Sequence, residues 1–265
     1  NDVESKITDA TAAILPVHLY GTSCRIEELV DIAEENEIRI IEDAAEALGA
    51  TYRDQKLGTF GDAAALSFCQ NKITPTGEGG AVVTDSEDIA KEVKLYRSHG
   101  RASQNYFENN DSGEYLRLGT NIRMSDMTAA LGCSQLDRID ELVKKRQQVA
   151  RVYDRFFTDI EGIAVHDPLP AATHVYQLYT IELDDYQTRE KVMSALDENN
   201  ISSKVYWDTP VHQTKYYRQT LTHIPTLPNA DDIANRVLSL PMYPDLSTEQ
   251  ATAVADAVIQ VIENR

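Results

Sequence analysis

Ser67-Phe68-Cys69-Gln70-Asn71-Lys72-Ile73-Thr74-Pro75-Thr76-Gly77-Glu78-Gly79-Gly80 sets a lysine just past an apolar run and just before a glycine-rich turn. The run that leads into it, Ala63 to Cys69, has the length and content of a buried strand, and Ala81-Val82-Val83-Thr84 beyond the glycines reads as another. Upstream, Ile38 to Ile41 is a third short apolar run, and it ends on Glu42-Asp43. Ala12 to Tyr20 reads as a buried strand that stops at Gly21.

Around these runs the spacing turns helical. Ile26 to Asn36 carries Ile26, Leu29, Val30, Ile32 and Ala33 at the helical period. Ser86 to Arg97 opens on a serine cap with acids behind it and continues through Ile89, Val93 and Leu95. Strands alternating with helices predict an α/β fold with a mostly parallel sheet.

Asn105 to Gly119 is polar and aperiodic and reads as a mobile loop, and Ser125 to about Phe157 as a long helix or two in succession. Pro168 and Pro170 mark a boundary. Beyond it we expect strands over Val175–Leu183, Ile201–Tyr206 and Leu238–Pro241, a helix over Arg189–Asn199, and a closing amphipathic helix over Thr248–Glu263. The domain reading is residues 1–157, including the long connecting helix, followed by a smaller α/β domain over 158–265.

The chain has 265 residues, 42% hydrophobic and 26% charged, which is ordinary for a globular protein. Its net charge of −18 argues against nucleic acid or an anionic membrane as partner. The acids are dispersed, so they read as a solvated surface. Cys24, Cys69 and Cys133 show neither metal-ligand nor disulfide spacing, which favours a reducing, cytoplasmic compartment. No metal site is expected.

Open α/β sheets bind ligands outside the carboxyl ends of their strands, and both Glu42-Asp43 and Asn71-Lys72 fall there. Taken alone, Lys72 reads as a surface lysine, and Asp43 as the N-cap of a helix over Ala44–Leu48. Taken together they are the two groups that pyridoxal phosphate (PLP) chemistry needs most: an amine that forms an imine and an acid that holds a pyridinium proton.

The chain resembles the DegT/DnrJ/EryC1/StrS family of PLP-dependent aminotransferases, which act on nucleotide-linked keto sugars. The resemblance rests on Asp43-Ala44-Ala45-Glu46-Ala47-Leu48-Gly49-Ala50, Gly58-Thr59-Phe60-Gly61-Asp62, Ser67-Phe68 to Lys72 and Thr76-Gly77-Glu78-Gly79-Gly80. It continues through Val17-His18-Leu19-Tyr20-Gly21, Arg97-Ser98-His99-Gly100-Arg101, Asn121-Ile122-Arg123-Met124, Pro210-Val211-His212 and Ser239-Leu240-Pro241-Met242-Tyr243-Pro244. It implies the aspartate-aminotransferase-like fold (fold type I), with Lys72 as the imine-forming lysine and Asp43 paired with the pyridine nitrogen. It also implies Ser67 on the cofactor phosphate, and Asn121 reaching the phosphate in the neighbouring subunit of a homodimer. Glu46 stands where many members carry Gln, beside the ring and its phenolic oxygen. His18 and His212 fall in regions that face the substrate, although a lone histidine near a strand end is more often a satisfied structural residue.

The resemblance further implies a keto sugar, of the 4-keto-6-deoxy type aminated by perosamine synthases, with glutamate as amino donor. A PLP-dependent sugar dehydratase of the same fold is a rival, but such enzymes replace the lysine by histidine. A non-catalytic or truncated subunit is a second rival. In the family the large domain begins about a hundred residues before the segment matched by Asn1, and that part carries a helix-start loop that grips the phosphate. The expectation is therefore the second half of a cofactor domain plus a small domain, weak or absent PLP binding by this chain alone, and exposed apolar sheet surface.

Overall fold

The computed structural model describes residues 2–102 and 114–264, and these form two compact units. Most of the loop expected over Asn105–Gly119 lies outside the described residues. The first unit comprises residues 1–142 and 168–175, the second 143–167 and 176–265. Among the described residues, no helix is long and apolar enough to cross a membrane.

The first unit opens with a short helix, α1 (Asp2–Lys6), then runs β1 (Ala13–Ile14), α2 (Ile26–Glu35) and β2 (Arg39–Asp43). A small hairpin follows, β3 (Thr51–Tyr52) and β4 (Gln55–Lys56). Then come β5 (Ala63–Ser67), β6 (Gly80–Val83) and α3 (Glu87–Tyr96), whose cap Ser86 accepts a hydrogen bond from Ile89 N as its sequence predicted. The long helical stretch resolves as two helices, α4 (Asp126–Leu136) and α5 (Ile139–Phe157).

The principal sheet has the order β1-β2-β5-β6, with β1, β2 and β5 parallel and β6 antiparallel to β5. The chain through Lys72 is thus a hairpin connection, from Ser67 across to Gly80. The strand expected over Ala12–Tyr20 is shorter than expected. Only β1 and a single bridge from Val17 to Asp43 remain, because Pro16 has no N–H to give a ladder and Leu19–Gly21 coils into a 3-10 turn.

Alternation along the strands gives the sheet two unlike faces. Ile40 and Glu42 are buried on one, where Ile40 packs with Ile26 and Ala33 of α2. Gly61 closes against this face; a Cβ there would come within 2.4 Å of Ile40 Cγ2. The other face carries Leu15, Val17, Ile41 and Val82, which are 61%, 44%, 40% and 47% exposed. Asp43 and Ser67 belong to that second face by register, since Asp43 pairs with Ala65 and Ser67 lies two residues on.

The second unit holds an antiparallel sheet of β7 (Ile163–Val165), β8 (Tyr179–Leu183) and β9 (Val237–Leu240). Helix α6 (Tyr186–Glu198), the short α7 (Lys215–Thr220) and α8 (Pro228–Ala234), and α9 (Thr248–Glu263) complete it. Its core joins Tyr153, Phe157, Tyr179, Ile181, Val192, Leu238 and Val258. Helix α9 runs over the residues its periodicity predicted and starts on a capping box between Ser247 and Gln250. The strand expected over Ile201–Tyr206 is only a bridge from Lys204 to Ser239.

Candidate active site

The end of β2 is built around a buried carboxylate. Glu42 and His18 are both fully buried, and their side chains meet at 2.9 Å, His18 Nε2 to Glu42 Oε2. Glu42 Oε2 also accepts the Gly58 N–H at 2.7 Å, and Oε1 accepts those of Phe60 and Gly61 at 2.7 and 2.8 Å. His18 Nδ1 accepts the Cys24 N–H at 3.4 Å, which puts the ring proton on Nε2, where it is donated to Glu42. Burial by itself would raise the Glu42 carboxyl; the His18 bond and the Gly61, Gly58 and Phe60 N–H groups outweigh it, and its pKa is lowered.

Asp43 follows on the opposite face. Its Oδ1 accepts the Ala45 N–H at 3.0 Å, so the residue caps a turn. The alternative helix over Ala44–Leu48 does not form: the chain makes two successive turns, Ala47 N to Ala44 O and Ala50 N to Ala47 O. Those turns bring Glu46 back to the strand ends. Glu46 Oε1 lies 3.2 Å from Lys72 Nζ, with side chains only 9% and 14% exposed. Its other oxygen accepts the Tyr20 N–H at 2.9 Å. Tyr20 supplies that N–H from a left-handed backbone (φ 61), a conformation that a bulky residue keeps only when its surroundings impose it. Its phenol is pushed up to about 12, first by burial and then by Glu46.

The Lys72 loop is tied at both ends. Phe68 N donates to Gly79 O at 2.9 Å, Thr76 N to Phe68 O at 2.8 Å, and Lys72 N to Cys69 O at 2.9 Å. Gly77 and Gly79 take φ of 89° and 146°. At Gly79 the φ of 146° is what requires glycine; a Cβ there would also meet Met124 Cε at 2.6 Å, the end of a flexible side chain that can yield. Ser67 Oγ accepts the Cys69 N–H at 3.3 Å, which leaves its own O–H to donate.

The structure thus gathers Asp43, Glu46, Ser67 and Lys72 at the carboxyl ends of the neighbouring strands β2 and β5. Asn121 is exposed and bridges to Ser98. His18 is not open to a ligand: both ring nitrogens are engaged inside the unit. His212 belongs to the second unit, where it is buried with Nε2 2.9 Å from Asp231 Oδ1. Sequence reasoning passed over Glu42 as a builder of the site. The available signal was alternation, which puts Glu42 on the covered face, where a charge needs partners. Among the described residues, no His, Cys, Asp and Glu cluster suits a metal ion.

Two groups of this unit make stability depend on acid. His174, 9% exposed, is lowered from 6.5 to about 4 by burial. Below about 6.5 the unfolded chain therefore takes a proton that the folded chain refuses until about 4, and stability falls across that window. Glu42, lowered from 4.5, adds stability that is complete above 4.5 and is lost as pH falls through its folded value. Urea unfolding at pH 7.5 and pH 5 is expected to differ by about 2 kcal/mol. His174→Gln should remove most of that difference and leave the steeper loss below pH 4.5 in place. Equal pH sensitivity of the two proteins would contradict the assignment to His174.

The residues present suit PLP in kind: an amine for its aldehyde, a carboxylate for its ring nitrogen, and a free hydroxyl for its phosphate. Comparison with known proteins points the same way. The model of the DegT/DnrJ/EryC1/StrS aminotransferase family matches residues 1–259. GDP-perosamine synthase of Caulobacter vibrioides is 35% identical over 98% of this chain and 68% of its own length. Among solved structures, Helicobacter pylori PseC, an aminotransferase of pseudaminic acid biosynthesis, superposes with a TM-score of 0.92 at 30% identity. That match covers 99% of this chain and 70% of PseC. The PLP form of a sugar aminotransferase from Streptococcus pneumoniae shares the fold, with a TM-score of 0.90 at 24% identity over 99% of this chain and 71% of its own.

Proposed function

Because the chain belongs to the DegT/DnrJ/EryC1/StrS aminotransferase family, we propose that its site serves transamination of a nucleotide-linked keto sugar, with Lys72 and Asp43 as the principal groups. PLP, the cofactor of this family, supplies when bound an aldehyde for covalent attachment and an electron-withdrawing ring. Lys72 Nζ is the attachment point. When not attached, the Lys72 amine would move a proton as general acid and base. Asp43 holds the proton on the ring nitrogen, and the Ser67 hydroxyl donates to the phosphate. Glu46, gripped by the Tyr20 N–H, holds the lysine amine in place at 3.2 Å. Asn121, exposed on this chain, is assigned to the phosphate of a neighbouring subunit in a homodimer.

The observation that carries this reading is the convergence of Lys72 and the Asp43-to-Glu46 turn at the carboxyl ends of two adjacent parallel strands. We assign glutamate as donor and a 4-keto-6-deoxy sugar on a nucleotide as acceptor, supported by the likeness to GDP-perosamine synthase. Retention of Lys72 argues against the dehydratase alternative. The test is the visible spectrum, with PLP, of the protein extended upstream where the gene allows. A yellow band that depends on Lys72 and bleaches with glutamate is expected. A folded protein that binds PLP without colour, or whose colour ignores glutamate, would overturn transamination and favour a non-catalytic role.

A further inference from the structure

We propose that His18 and Glu42 form a clamp that aims Asp43, making both of them positioning residues. This rests on the reading of Asp43 as partner of the cofactor's ring nitrogen. His18 holds two consecutive residues at once: its ring donates to Glu42 Oε2 at 2.9 Å and its backbone N–H to Asp43 O at 3.0 Å. Asp43 N in turn donates to Pro16 O at 2.8 Å. On the far side, Glu42 is fastened to the turn at Gly58, Phe60 and Gly61 by three backbone N–H groups.

Neighbouring residues of a strand point to opposite faces. Pinning Glu42 in the covered face therefore sets the rotation of the strand end, and with it the direction in which the Asp43 carboxylate leaves the open face. The same histidine begins the turn that carries Tyr20, whose N–H holds Glu46. One buried pair thus places both Asp43 and Glu46, the latter 3.2 Å from Lys72. It touches no ligand itself, since His18 and Glu42 are fully buried.

The test measures the affinity of the protein for PLP and for an analogue with carbon in place of the ring nitrogen. If Asp43 pairs with that nitrogen, the unaltered protein prefers PLP. In His18→Leu and Glu42→Gln the preference should fall by roughly tenfold, the size of one charge-assisted hydrogen bond misplaced. In His18→Gln, whose amide can still donate to Glu42, the preference should largely return. Ala33→Gly on α2, which loosens the same unit without touching the clamp, should keep the preference whatever its loss of melting temperature. An undiminished preference in folded Glu42→Gln, which preserves size, overturns the clamp but leaves the role of Asp43 standing, even if His18→Leu fails to fold. Absence of any preference in the unaltered protein overturns the role of Asp43, and the clamp with it.

Discussion

Lys72→Ala is expected to abolish borohydride-fixed attachment of PLP to the chain and to lower transamination by roughly 10⁴-fold or more. The size follows from the two tasks that the proposed function places on one nitrogen: attachment of PLP and movement of the substrate proton. Lys72 Nζ stands within a tied loop, mostly shielded and 3.2 Å from Glu46. Lys72→Arg separates the tasks from the charge. A guanidinium keeps a cation beside Glu46 but stays protonated and cannot attach, so the arginine variant should fold like the parent and remain inactive. Peptide mapping after reduction decides the matter. A PLP-derived mass on the peptide holding residue 72 in the parent, and on no peptide in either variant, is the expected pattern. Fixation at another lysine with activity retained would sink the assignment.

The second large effect is on stability. Glu42→Ala is expected to cost about 4 kcal/mol, within the range for removing one member of a buried charged network. The carboxylate receives four hydrogen bonds in a place with no exposure. Alanine leaves the His18 Nε2–H and three backbone N–H groups without acceptors, each a penalty of roughly 1–3 kcal/mol before relaxation. Against a typical total of about 5–15 kcal/mol, such a loss brings the unit close to unfolding. Glu42→Gln keeps one carbonyl oxygen but turns an NH₂ toward other donors, so an intermediate loss is expected. Urea unfolding followed by circular dichroism measures both. A loss below about 1 kcal/mol for Glu42→Ala would show that the network contributes little.

Much of this was written locally. Ser86, Ser125 and Ser247 cap their helices, and each accepts an N–H three residues on. Lys72 and Asp43 stood out because each follows an apolar run that can only be a strand. What escaped sequence reasoning depends on contacts between distant residues. The antiparallel course of β6 is set by the pairing of Ser67 with Gly80, not by any residue preference of its own. The hairpin of β3 and β4 turns on Arg53 and Asp54, with φ of 46° and 64°, where a glycine or asparagine would have announced it. The resemblance sets His18 in a region that faces the substrate; its ring turns inward, where it meets Glu42 of β2, a partner distant in sequence. The His212 assignment to the substrate side rests on resemblance alone.

The open face of the sheet has a consequence for how molecules of this protein meet. Leu15, Val17, Ile41 and Val82 make up an exposed apolar area on one face of a sheet whose other side is packed. Two such areas brought together would bury each other, and what opposes the encounter is mutual repulsion between chains of net charge −18. That repulsion reaches about 30 Å at 0.01 M salt and only about 3 Å at 1 M. The osmotic second virial coefficient should therefore be positive in dilute buffer and change sign as sodium chloride is added. Val82→Lys should hold it positive. The excess of acid, otherwise a mere property of the surface, then acts as the colloidal counterweight to one uncovered side of a sheet.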